Sequence, residues 1–192
     1  MARTKEFDPD TALQAALELF QARGYEATSM ADLVEHLGVA KASMYATFGS
    51  KHDLYLKALQ RYLDARPDPL AMLSQPGPAL PAVRALVRLY AEEAANDVEQ
   101  LGCFVVNTAI ELAPHDRAAA RAVQQAWDRL ETAIISALVR AAAQGELPAG
   151  RDPYALGRLL LTVLQGIRVL AKGGPDPVRI REAAEQALER LV

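Results

Sequence analysis

The chain has 192 residues, 51% of them hydrophobic, a formal net charge of −3 and a single cysteine. That composition excludes a disordered polymer, a disulfide framework and a polycation that clings to nucleic acid through bulk charge. One cysteine supplies no cysteine-based zinc site.

Alanine, leucine, glutamate, glutamine and arginine dominate segments with a 3.6-residue apolar rhythm, so the expected fold is all-α. No charged n-region precedes an apolar one, and no uninterrupted apolar stretch is expected to span a bilayer. The expected compartment is the cytoplasm.

Through Phe7 the chain reads as a frayed arm, in which Arg3 and Lys5 are candidates for phosphate or the minor groove. Asp8 and Pro9 then supply an N-cap and an N1 proline, and Leu13, Leu17 and Phe20 recur at helical spacing until Gly24 stops the first helix. Phe20 and Tyr25 are expected to close a small core. Ser29 and Asp32 form a capping pair for a second helix with Met30, Leu33, Val34 and Leu37 facing inward, and Gly38 supplies a turn.

A third helix begins near Ala40 or Lys41 and ends at Phe48, with Met44 and Phe48 on its buried side. Its other side, Ala42, Ser43, Tyr45, Ala46 and Thr47, mixes small residues, hydroxyls and one tyrosine, which lets a backbone approach base edges. From Gly38 to Lys51 there are two lysines, Lys41 and Lys51, and no carboxylate to repel phosphate. Two short helices around a glycine turn form a helix-turn-helix, whose second helix can enter a DNA major groove. Gly49, Ser50 and Asp53 end this unit and cap a fourth helix running to Arg66. At its N-terminus Lys51 and the outward N–H groups are expected to hold a phosphate.

PDPLAMLSQPGP, with four prolines and a glycine, reads as a break near Pro67. It divides residues 1–66 from residues 67–192. Helices are then expected from Leu80 to Asn96, Cys103 to Leu112, Asp116 to Gln144, Asp152 to Lys172, and Asp176 to the end, about nine in all. The helix from Asp152 is apolar most of the way round and must be covered on several sides. The last helix presents Ile180, Ala184, Ala187, Leu188 and Leu191 as one stripe.

Over Asp10 to Leu59, the segments FQARGYEATSM and DLVEHLGVAKASMYATFGSKHDLY resemble the TetR family of bacterial transcriptional regulators. Farther on, GCFVVNTAIELAPHD and DPYALGRLLLTVLQGIRVLAKGG are similar to the family in outline. The resemblance implies a homodimer whose last two helices form a four-helix bundle, a roughly palindromic operator in double-stranded DNA, and a pocket inside helices five to eight for a small-molecule effector that releases the DNA. It also implies DNA contacts at Ser29, Lys41, Ala42, Ser43, Tyr45 and Thr47, with Lys51 on phosphate; Thr47 stands where many members carry histidine. No cofactor, metal or membrane is implied.

Polar groups embedded in apolar helices nominate Asn107, Glu111, Gln165 and Arg168 for the pocket, with Tyr90, Phe104, Trp127 and Leu164 as apolar walls. Glu111 and Arg168 are alternatively expected to pair with each other. Cys103, at a helix N-terminus, reads either as a thiolate sensor of oxidants or electrophiles or as a small buried hydrophobe. His36, His52 and His115 have no metal-ligand spacing and are expected at the surface. No P-loop, HExxH, GxSxG or CxxC signature points to an enzyme. A DNA-binding dimer without an effector stays open beside the ligand-responsive regulator.

Overall fold

The computed structural model describes residues 7–191, which form ten α-helices. The reading of Arg3 and Lys5 lies outside the described residues. The first four helices are α1 (Pro9–Arg23), α2 (Met30–Leu37), α3 (Lys41–Phe48) and α4 (Lys51–Ala65). Their starts follow local chemistry. The Asp8 side chain accepts from the Asp10 N–H ahead of Pro9, while Ser29 with Asp32 and Ser50 with Asp53 form complete capping boxes. Gly38 closes α2 at φ 62°, the left-handed conformation that favours glycine. Phe7 is not frayed: its ring lies 6.1 Å from that of Phe48.

The proline-rich break contains an additional helix, α5 (Pro69–Leu73), capped by Asp68. It was missed because its five residues are too few to show periodicity. Then come α6 (Ala79–Ala95), α7 (Phe104–Glu111), α8 (Arg117–Ala143), α9 (Pro153–Lys172) and α10 (Pro177–Glu189).

The buried apolar residues form two clusters. One comprises α5, α6, α9 and α10 with the middle and end of α8. The other joins α1 to α4 with Cys103 to Val106, Leu112, Ala119 and Val123. Packing therefore crosses the chain break at Pro67, because α7 and the first half of α8 complete the core of the N-terminal unit. Its centre is a run of rings: Tyr55 of α4 lies 5.0 Å from Phe20, 5.0 Å from Tyr25 and 4.9 Å from Phe104. Full burial of such a side chain contributes about 1.5–3 kcal/mol. The Tyr55 hydroxyl, 2.9 Å from Thr108 Oγ1, is not left unpaired.

Two cores also meet through polar clasps. The Lys172 ammonium at the end of α9 donates to the Gln21 carbonyl of α1 at 3.1 Å, and the Gln21 side chain donates to the Gly102 carbonyl at 3.0 Å.

The apolar stripe expected on α10 is covered within the chain, with Ile180, Ala184, Ala187, Leu188 and Leu191 all buried by packing on α6 and α9. On α9 one side is buried, through Leu156, Leu160, Leu164, Ile167 and Ala171, and the opposite side leaves Leu159, Val169 and Leu170 exposed. No uninterrupted apolar stretch of membrane-spanning length is expected, and among the described residues α9 comes near one but is interrupted by Arg158 and Arg168. Helix α9 has 20 residues and a mean hydropathy of 1.3 over its most apolar window, enough by length and composition. Its inner side is instead covered by helices of the same chain.

Candidate nucleic-acid interface and effector cavity

Helix α3 turns Met44 and Phe48 into the N-terminal core, leaving them 1% and 5% exposed. Lys41, Ala42, Tyr45, Ala46 and Thr47 are exposed on the opposite side and Ser43 is half-buried. Tyr45 is a large ring left open to solvent beside the small exposed residues Ala42, Ala46 and Thr47, which needs an account. No acidic residue lies in the first turn, and Ala40, unlike Asp8, Ser29 and Ser50, places no side-chain acceptor on the first N–H groups. The face is therefore free of carboxylate and carries ammonium and hydroxyl donors, which suits a phosphate-flanked groove.

Two flanking groups are more occupied than their positions suggest. Ser29 Oγ donates to Asp32 at 2.5 Å while accepting from the Asp32 N–H. Lys51 is at the first position of α4, but its ammonium turns back to the carbonyls of Tyr25 and Thr28 at 2.9 and 3.0 Å, and lies 3.9 Å from the centre of the Tyr25 ring. A cation in the first turn is repelled by the helix dipole, and these carbonyls offset that. Two of its three donors are thus taken.

Behind the DNA-facing unit, a cavity of about 390 Å³ lies between the last turns of α4, the Pro67–Pro69 segment and helices α6 to α9. Leu63, Val105, Leu130, Tyr90 and Trp127 wall it, and Arg66, Arg129 and Arg168 bring guanidinium groups to it. Arg129 is paired with Asp68 at 3.0 Å and Arg66 with Glu93. The Arg168 guanidinium stacks on the Tyr90 ring at 4.2 Å. A second cavity of about 260 Å³ shares Arg66, Tyr90 and Arg168 and reaches Tyr62 and Cys103. Cys103 is buried as the N-cap residue of α7 and makes no side-chain cap bond.

The model of bacterial regulatory proteins of the tetR family matches residues 12–58, and that of the tetracyclin repressor-like C-terminal domain matches residues 79–187. The chain belongs to the TetR family of transcriptional regulators. As a TetR-family member it is a DNA-binding protein and not an enzyme. It is 35% identical over its whole length to the whole of the uncharacterised HTH-type regulator YezE of Bacillus subtilis. It is 30% identical to the HTH-type transcriptional repressor ComR of Escherichia coli, across 97% of this chain and 90% of ComR. Among solved structures it is similar to a cysteine mutant of the TetR-family regulator CifR complexed with 26-bp operator DNA. There the identity is 32%, all of both chains is covered, and the TM-score is 0.85.

Within this TetR-family fold, Tyr90, Trp127 and Arg168 meet around the larger cavity. The other nominated residues have different surroundings. Phe104 is fully buried between Tyr55 and Tyr62 as the hub of the N-terminal core. Leu164 is buried in the C-terminal core. Asn107 donates to the Leu101 carbonyl at 3.0 Å, and the Gln165 amide is buried with neither its N nor its O paired.

Glu111 and Arg168 do not pair. The Glu111 carboxylate instead accepts from the Tyr25 N–H at 2.6 Å and fills the space beside Gly24, whose φ of 88° and closeness to that carboxylate leave no room for a side chain. His52 is likewise no bare surface residue: its Nε2 lies 2.7 Å from an Asp116 oxygen while the other Asp116 oxygen caps α8. The cavity residues that sequence reasoning missed, Arg66, Arg129 and Val105 among them, lie on four different helices and segments with no common spacing to find them by.

Proposed function

We propose that the chain represses transcription as a homodimer on a near-palindromic operator and leaves the DNA when a small molecule fills the larger cavity. The observation carrying this reading is that α4 serves both places. Only Gly49 and Ser50 separate its first residue from the recognition helix, and its last turns, through Gln60, Leu63 and Asp64, line the cavity together with the C-cap residue Arg66. A ligand that favours one setting of α4 changes the spacing of two recognition helices, and a coupling of about 1–3 kcal/mol is ordinary for such linkage.

In this reading Lys41, Ala42, Ser43, Tyr45 and Thr47 meet the groove, while Ser29 and the remaining donor of Lys51 meet phosphate. Residues 1–66 form the DNA-binding part and residues 67–192 the effector and dimer part. Repression is supported by the likeness to ComR, named a repressor, and operator binding by the CifR complex. Pairing of subunits is supported by the outward face of α9, where Ala155, Leu159, Thr162, Gly166 and Val169 recur at helical spacing and are all exposed. The operator places the protein in the cytoplasm.

The test is fluorescence anisotropy with DNA flanking the protein's own gene, with and without a small-molecule panel. Sequence-selective binding that weakens with one compound is the expected result. Operator affinity unmoved by a compound that saturates the cavity would sink the release mechanism.

A second reading has its own observation. Cys103 borders the smaller cavity beside Tyr62 and Arg66, so an electrophile entering there would reach sulfur next to α4. Loss of release on Cys103→Ser would favour that trigger.

A further inference from the structure

We propose that the effector is an organic anion, an aromatic or otherwise flat apolar body carrying a carboxylate, with Arg168 as its anchor. The inference rests on reading the larger cavity as the effector site, and it names the chemical class that site takes.

The cavity lining sets three guanidinium groups against two carboxylates. Of the two carboxylates, Asp68 holds Arg129 and caps α5, while Asp64 keeps its charge but is exposed to solvent, accepting from the neutral Gln60 amide at 2.7 Å. Of the three guanidinium groups, Arg66 and Arg129 are neutralised by Glu93 and Asp68. Arg168 has no carboxylate partner among the described residues, and its guanidinium lies over the Tyr90 ring. Stacking occupies one face of a guanidinium and leaves its edge, where all five N–H donors lie, free to meet a planar acceptor two bonds at a time. The ring therefore fixes the orientation of Arg168 without neutralising it.

A second orphan points the same way. Trp127 lines the cavity, and its indole N–H is buried without an acceptor. Indole nitrogen only donates. A neutral hydrocarbon would leave the cation and this donor unanswered, and a ligand cation would be repelled by Arg168. A carboxylate satisfies them, and Leu63, Val105, Leu130 and the two rings accept its apolar body. A volume of about 390 Å³ admits a two-ring molecule.

The experiment titrates the full-length protein with 2-naphthoate and with its neutral counterpart 2-naphthalenemethanol by isothermal titration calorimetry. The naphthoate is expected to bind about ten- to a hundredfold more tightly, the range of a charge-assisted hydrogen bond. Arg168→Met should remove that preference and Arg168→Lys restore part of it. Equal affinity of the two probes, or a preference that survives Arg168→Met, overturns the anion class and leaves the cavity as an effector site. If neither probe binds, the anion class and the effector reading fall together.

Discussion

Tyr45 and Lys51 are six residues apart and answer to different forces. Tyr45 is 45% exposed and contributes little to the core, so Tyr45→Ala should leave the melting temperature within a degree or two. It should weaken operator binding by about 1–3 kcal/mol while binding to unrelated DNA persists. Undiminished operator affinity would take Tyr45 off the reading surface. Lys51→Met removes two bonds to carbonyls and a cation over a ring. A stability loss of about 1–3 kcal/mol in urea denaturation is expected. The salt dependence of DNA binding reports the third donor separately, falling by about one unit if it neutralises a phosphate. An unchanged slope would leave Lys51 as a clasp between α4 and the α1–α2 corner.

At the scale of the helix, the caps make a pH prediction. A hydrogen bond from the Ser29 hydroxyl, joined by the Ser29 N–H, holds the Asp32 carboxyl below its usual value; Ser50 does the same for Asp53. For Asp116 the Ala119 N–H acts first, with His52 adding to it. A carboxyl depressed in the folded state stabilises it fully above the unfolded value, about 3.9, and that stabilisation is lost as pH falls through the lower folded values. The urea midpoint should therefore drop between pH 5 and pH 3, and drop less in a Ser29→Ala, Ser50→Ala double variant. That variant begins about 2 kcal/mol less stable, roughly 1 for each cap. An equal drop in both proteins would remove these bonds as the cause.

Caps of this kind were legible because Ser-x-x-Asp and Asp-Pro act within one turn. The outward face of α3 was legible for the same reason, since Met44 and Phe48 fix which side of that helix is inside. The contacts that join the two cores were not. Glu111 and Tyr25 are 86 positions apart and His52 and Asp116 are 64 apart, and periodicity records which face of a helix is buried but not against what. Hence Phe104 reads equally well as a cavity wall or a core ring, and Glu111 with Arg168 reads as a pair although different neighbours claim each.

For the whole molecule, the shared core predicts one cooperative unit. A fragment ending at residue 66 would expose the side of Tyr55 and Tyr62 that packs on Phe104, and would lose the bonds from Thr108, Glu111 and Asp116. Such a fragment should show poor amide dispersion by NMR and no sharp thermal transition, whereas the full chain melts in one step. A well-dispersed fragment spectrum would make the N-terminal core self-sufficient.

The lysine that ends α9 has a geometric consequence. Through Lys172 the far end of α9 is fastened to α1, and in the proposed dimer the same helix lies against the other subunit. A rod of 20 residues is about 30 Å long, so a tilt of only about 5° carries its tip about 2.6 Å sideways. Side chains lose hydrogen bonds to bases over a few tenths of an ångström. The pair would then behave as calipers, in which a change of angle too small to disturb any packed core is still wide enough at the points to miss the next groove.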